Sequence, residues 1–298
     1  MATAIEWTDE TWNPLSGCTK VSPGCDNCYA ERITTRWGRD FSKVEMHTKR
    51  LEQPSKWKRP RMIFVNSMSD TFHSSLTNHQ IDVMFYAMFA APQHTYQVLT
   101  KRPNRVKRWW ARLARAGYEW PRNIWLGTSV ESATYLPRID RLTETPAPIK
   151  FVSIEPLLGR IPYERLEVFL HFRQLQWVIV GGESGPSARP MHPDWAREVR
   201  DACVDYRVPF FFKQWGEWTP GENVESDRKY PTQSYFDGKW SPCTDDWVEE
   251  ADYGPIMYRL GKKAAGRMLD GREWSEMPQM AAEGQLAMLP APAAETPA

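Results

Sequence analysis

Residues 177–185, Trp177-Val178-Ile179-Val180-Gly181-Gly182-Glu183-Ser184-Gly185, pass from a continuous apolar run straight into small and acidic residues. An apolar run without alternation fits a parallel strand buried on both faces, its polar end opening into a loop. The pattern recurs along the chain. Residues 62–65 lead into Asn66-Ser67-Met68-Ser69-Asp70, residues 96–99 into Thr100-Lys101-Arg102-Pro103, and residues 124–126 into Gly127-Thr128-Ser129-Val130-Glu131. Residues 149–152 lead into Ser153-Ile154-Glu155-Pro156, and 208–212 into Lys213-Gln214-Trp215-Gly216. Amphipathic segments at 79–91, 105–116 and 194–206 lie between the runs, as successive βα units require. With an opening strand near residues 4–7, the expected fold is α/β: a partial or complete (β/α) TIM-like barrel of roughly six to seven parallel strands. An open doubly wound sheet is the competing architecture.

The barrel with its cysteine loop is expected to fill residues 1–216. Residues 217–254, rich in Gly, Pro, Asp and Trp, show no clear period, and 256–271 suits a short strand and a helix. Residues 217–277 therefore read as an irregular C-terminal extension packed on the barrel, and the Ala/Pro/Glu-rich 278–298 as a disordered tail.

Hydrophobic residues are 41% and charged residues 25% of the 298, the composition of a soluble globular protein. Its 15 Trp suit either a Trp-rich core or ligand-lined clefts. The first twelve residues hold three acids and no base, unlike a secretion signal, and no segment reaches the ~20 apolar residues of a membrane span. A cytoplasmic protein without a membrane partner is expected. The net charge of +1 hides a basic region, residues 43–117, with 14 Lys and Arg against 4 Asp and Glu. Residues 101–115 alone carry seven basic residues, no acid, and Trp109-Trp110. Arg105, Lys107, Arg108 and Arg112 are thus candidates for phosphates, and Trp109 for stacking on a base. The plain alternative is a solvated basic helix whose Trp pair faces the core.

Three of the five cysteines fall in Gly17-Cys18-Thr19-Lys20-Val21-Ser22-Pro23-Gly24-Cys25-Asp26-Asn27-Cys28-Tyr29. This C-x6-C-x2-C grouping, in a chain expected in a reducing compartment, argues for metal binding by Cys18, Cys25 and Cys28 rather than disulfides. A helix starting after Cys28 would lower the thiol pKa values. Structural zinc normally takes four protein ligands, so a set of three leaves a position open. An iron–sulfur cluster, a zinc site completed by His47 or Cys203, and unliganded thiols all remain open at this point.

Three cysteines in a loop after the first strand of a partial barrel resemble the radical S-adenosylmethionine enzymes, whose usual spacing is C-x3-C-x2-C. Across residues 4–277 the chain more closely resembles the three-Cys-motif proteins found often in bacteriophages. The likeness is carried by Trp12-Asn13-Pro14, the cysteine loop, and the segments at 66–70, 99–103, 153–157, 181–185, 212–216 and 269–274. It implies a 4Fe-4S cluster on the three thiolates, with one iron left for S-adenosylmethionine. Ser67, Ser69 and Asp70 would then meet the methionine ammonium, and Lys101 or Lys213 its carboxylate. Thr128, Ser129, Glu131 and Glu155 would suit the ribose hydroxyls. Asp70 and Glu155 have the plainer alternative of capping helices or pairing with arginines. Gly181-Gly182-Glu183 lies on a later strand than the resembled superfamily's ammonium-binding motif, so that role is not transferred to Glu183.

The expected function is a radical S-adenosylmethionine enzyme acting on a nucleobase or nucleotide, with an electron donor and a separately encoded partner protein. The alternatives are a zinc-stabilised, non-catalytic nucleic-acid-binding phage protein and a barrel enzyme using one divalent metal.

Overall fold

A computed structural model describes residues 3, 5–224, 230–243 and 254–278. Seven strands form one parallel sheet: β1 (Glu10–Trp12), β2 (Met62–Val65), β3 (Thr95–Thr100), β4 (Ile124–Ser129), β5 (Lys150–Ile154), β6 (Trp177–Gly181) and β7 (Phe210–Gln214). Each pairs only with its sequence neighbours in this sheet, and β1 does not meet β7. Right-handed crossovers in strictly sequential order put every helix on one face, so the sheet curls into a half-barrel and has no doubly wound switch point. The opening strand is not at residues 4–7, because Trp7 turns into the barrel and its ring packs at 4.7 Å on Phe64.

Helices α1 (Tyr29–Arg36), α2 (Asn78–Phe89), α3 (Pro103–Arg115), α4 (Pro137–Thr143), α5 (Tyr163–His171) and α6 (Pro193–Asp205) lie between successive strands. Their starts follow local rules. Thr77 and Gln80 close a reciprocal capping box on α2, and Pro occupies the first turn of α3, α4 and α6, where its missing N–H costs nothing.

Alternation along the strands builds two apolar layers. Ile63, Val98, Leu126, Val152, Val178 and Phe212 point outward into the sheet–helix core. Phe64, Trp125, Phe151, Trp177 and Phe211 point inward with Trp7 and fill the closed end of the half-barrel. Full burial of each such ring contributes roughly 1.5–3 kcal/mol. Gly127 is imposed by this plug, because a Cβ there would stand 2.4 Å from the Phe151 ring. Towards the C-terminal ends of β4, β5 and β7 the inward residues turn polar, at Ser129, Ser153 and Lys213.

The region expected to be irregular holds a second sheet. Strands β8 (Trp218–Pro220), β9 (Thr232–Phe236), β10 (Lys239–Pro242) and β11 (Ile256–Arg259) pair antiparallel in the order β8-β11-β9-β10. The β9–β10 hairpin turns on Asp237-Gly238, both with positive φ, as a two-residue Asp-Gly turn requires. Residues 274–276 cover the open edge of the half-barrel, with Phe212 N donating to Trp274 O and Trp177 Nε1 to Glu276 O. The tail expected from 278 onward lies, past that first residue, outside the described residues. Among those described, no helix is long and apolar enough to cross a membrane.

Candidate functional site

The C-terminal ends of the strands surround a cavity of about 700 Å³, in the range that encloses small-molecule ligands. Cys18, Cys25 and Cys28 all line it, half-buried and free of disulfides. The floor and far wall carry the polar inward layer, with Ser129, Ser153, Glu155 and Lys213.

The cysteine loop is fixed from three strand ends. At the β3 end, Asp70 accepts from Thr100 Oγ1 (2.7 Å), the Lys101 amide (3.1 Å), the Phe72 amide (2.8 Å) and Arg102 Nη1 (3.0 Å). The Arg102 guanidinium then reaches Thr19 O and Oγ1 at 3.0 Å and Cys18 Sγ at 3.7 Å. After β4, the Glu131 carboxylate, 1% exposed, takes Lys101 Nζ at 2.5 Å, Arg138 Nη1 at 2.9 Å and Ser22 Oγ at 2.7 Å. Gly24 rests on that carboxylate so closely that a Cβ would lie 2.5 Å from Glu131 Cγ, so only glycine fits. Beyond β6, Glu183 accepts from Asn27 Nδ2 (2.8 Å) and from Arg189, whose Nη2 also donates to Pro23 O (2.8 Å). Burial alone would raise Glu131 and Glu183, yet Lys101 and Arg138 hold the first, and Arg189 and Asn27 the second, below the ordinary glutamate range.

As free thiols, Cys18 and Cys28 are pushed upward, Cys18 to about 11, chiefly by burial. Cys28 is the N-cap of α1 as expected, but burial outweighs the hydrogen bonds from the Glu31 and Ala30 backbone that favour its thiolate. A helix start therefore does not make this thiol acidic on its own.

Ser67, Ser69, Lys101, Ser129, Glu155 and Lys213 line the cavity with the thiols. Ser67 Oγ donates to Asn13 Oδ1 at 3.1 Å, and the buried Ser69 Oγ has no hydrogen-bond partner. Lys213 Nζ pairs with Glu155 Oε1 at 2.7 Å, which meets the cost of burying a lysine. Other expected ligands are already committed. All four bonds to Asp70 come from the protein, so the plainer pairing with an arginine describes it. Thr128 is fully buried and donates to Thr100 O at 2.8 Å, and Glu131 sits beneath the cysteine loop, outside the cavity lining. His47 Nε2 meets Ser16 Oγ at 2.8 Å, and Cys203 is fully buried within α6, so neither completes a zinc site. Among the described residues no three His, Cys, Asp or Glu side chains gather closely enough for a single ion. The donor set, three free thiols in a braced loop facing one cavity, fits the cluster.

The expected stacking role of Trp109 is corrected. Trp109 is 2% exposed, packs on Phe72 and Phe85, and donates Nε1 to Asp82 Oδ1 at 2.8 Å, so it belongs to the core. Arg112 and Lys107 pair with Asp82 and Glu144 and Arg105 donates to Leu76 O, while Arg108 stays exposed without an ion pair among the described residues. Arg102, Asn27, Glu183 and Arg189 hold the cysteine loop without having been singled out for it. Three acids and arginines at strand ends facing one Gly-containing loop are the signal, but only the fold shows that they face it.

None of the curated proteins compared with the chain matches it. A solved structure described as spore photoproduct lyase complexed with dinucleoside spore photoproduct aligns over 84% of this chain and 67% of its own, at 13% identity and a TM-score of 0.39. That likeness is too distant to bear on the chemistry. The family profile is far more extensive, matching residues 2–278, and by it the chain belongs to the family described as Protein of unknown function (DUF5131).

Proposed function

We propose that this chain is a radical S-adenosylmethionine enzyme whose 4Fe-4S cluster is held by Cys18, Cys25 and Cys28 and whose substrate is a nucleobase or nucleotide. The observation that carries the reading is the convergence of three braced, half-buried free thiols and a polar inward layer on one cavity. Held by Cys18, Cys25 and Cys28, the cluster would supply one-electron reduction of S-adenosylmethionine and so open radical chemistry on the substrate.

The chain's own residues bind, orient and exclude water. The unpartnered Ser69 Oγ is an acceptor for the methionine ammonium, with Ser67 beside it. Lys213 is the cation for the methionine carboxylate: its partner Glu155 also lines the cavity, whereas Lys101 is drawn down onto Glu131 outside the lining. Ser129, Ser153 and Glu155 offer hydrogen bonds to ribose hydroxyls. The aromatic plug below them closes the barrel to water, which protects a reactive intermediate. An external electron donor completes the requirement.

The reading is tested by adding dithionite and S-adenosylmethionine to anaerobically purified protein. The expected products are 5′-deoxyadenosine and methionine, with Lys213→Ala raising the S-adenosylmethionine concentration needed. An iron–sulfur signal indifferent to S-adenosylmethionine, with no cleavage, would leave a structural or electron-transfer cluster and end the proposal.

A further inference from the structure

Helix α1 leaves the third cysteine with Ala30 and Thr34 in the core and a flank beside them exposed. Tyr29, Arg32, Ile33, Arg36 and Trp37 follow at spacings of three and four along that exposed flank. Tyr29 is 43%, Ile33 37% and Trp37 65% exposed. Single exposed hydrophobics are ordinary, but neighbouring ones in a row mark an interaction surface. The row starts inside the cavity. Tyr29, Arg32 and Ile33 line it, and the Tyr29 hydroxyl is pinned to Ser67 O. Trp37 ends the row about 12 Å further along the helix axis.

The cations here are unpaired, unlike Lys107 and Arg112 on α3. Glu31 is taken by Lys20 at 3.3 Å, and Asp26 faces Arg189 at 3.5 Å. Among the described residues, Arg32 and Arg36, and Arg39 and Lys43 just beyond the helix, have no carboxylate within ion-pair reach.

We propose that this face of α1 docks single-stranded nucleic acid and feeds one base into the cavity. The inference rests on the nucleobase reading above and gives it a polymeric substrate. Guanidinium groups meet phosphates, exposed rings stack on bases whatever their sequence, and a base must leave its stack to reach an enclosed site. An excess of positive charge, Arg32, Arg36, Arg39 and Lys43 against the exposed Asp40, interleaved with aromatics and continuous with the cavity, favours a polyanion over an apolar protein partner.

The test is fluorescence anisotropy of a labelled single-stranded DNA or RNA 12-mer with the full chain as purified, its iron assayed in parallel. Binding is expected at 50 mM salt and should weaken steeply towards 200 mM. Trp37→Ala should weaken it roughly 5- to 150-fold, the range for losing one stacked base. Arg36→Gln and Arg39→Gln should each flatten the slope of log affinity against log salt by about 0.7. Circular dichroism and the unfolding midpoint should not move. Failure to bind either strand at 50 mM salt overturns the proposal and leaves the face to a protein partner. Binding unaltered by Trp37→Ala and by both arginine changes also overturns it. Because binding is read independently of iron content, failure here leaves the cluster reading standing, and an iron-free chain that binds leaves the docking surface standing.

Discussion

Helices α1 and α3 are built from the same ingredients, arginines and tryptophan, and use them in opposite ways. On α3 the apolar residues Val106, Trp109, Trp110 and Leu113 form a stripe at i, i+3, i+4 and i+7 that is buried. Two of the cations at its edges, Arg112 and Lys107, are bound by acids of neighbouring helices, Asp82 on α2 and Glu144 just past α4, while Arg108 and Arg115 stay exposed. On α1 the buried positions are small, Ala30 and Thr34, while the rings and guanidinium groups face out. Composition alone does not separate a structural helix from a binding one. Which residues occupy the inward stripe, and whether charges find partners, does.

The largest effect that sharpens this comparison is on stability. Trp109→Ala should cost about 3–5 kcal/mol in chemical denaturation, as expected for emptying a buried indole site. Trp37→Ala should stay within about 0.5 kcal/mol of wild type, because its ring contributes little to the core. A reversal of that order would break the comparison.

Next in size is the brace beneath α1. Glu131→Ala leaves Lys101 and Arg138 partly buried without their shared carboxylate, a change that costs about 3–5 kcal/mol where a pair is fully buried and somewhat less here. It should also free Ser22 and loosen the cysteine loop, measured as faster proteolysis near Gly24. A stability change under about 0.5 kcal/mol would mean that the strand ends do not hold the loop.

A smaller, pH-dependent effect separates the brace from mere packing. Glu183 is held below its ordinary range in the folded chain, so its contribution is complete above the unfolded glutamate value of about 4.3 and is lost as pH falls through the lower folded value. The stability gap between wild type and Glu183→Gln should therefore be full at pH 6 and close towards pH 3. A gap that does not change with pH would assign Glu183 a steric role only.

Smallest is a change in thiol reactivity. With Cys18 pushed up to about 11, chiefly by burial, its thiolate is scarcer at pH 8, and alkylation in metal-free protein should be slower than for a small free thiol. Alkylation of Cys18 at the rate of a small free thiol would show that the loop does not bury it.

Much of this was legible beforehand. The apolar runs at 62–65, 96–99 and 177–180 are strands of the half-barrel, because parallel strands buried on both faces leave an unbroken apolar signature. The cysteine loop was legible from spacing, whereas Trp109 stood equally for stacking and for the core until its burial decided. The second sheet was missed although Asp237-Gly238 marks its hairpin, because its short strands pair across long stretches of chain. The committed states of Asp70, Thr128 and Glu131 were not legible either. A polar residue at a strand end looks the same whether it faces a ligand or a loop, and the partners Arg102, Arg138 and Ser22 arrive from distant segments.

The central claim is that Cys18, Cys25 and Cys28 hold an iron–sulfur cluster. It is tested most directly by anaerobic purification followed by iron, acid-labile sulfide and zinc analysis. The account predicts a brown protein with iron and sulfide in equal amounts, the colour lost in Cys18→Ala, Cys25→Ala and Cys28→Ala and kept in Cys243→Ala. Stoichiometric zinc without sulfide, or iron retained after loss of all three thiols, would contradict it.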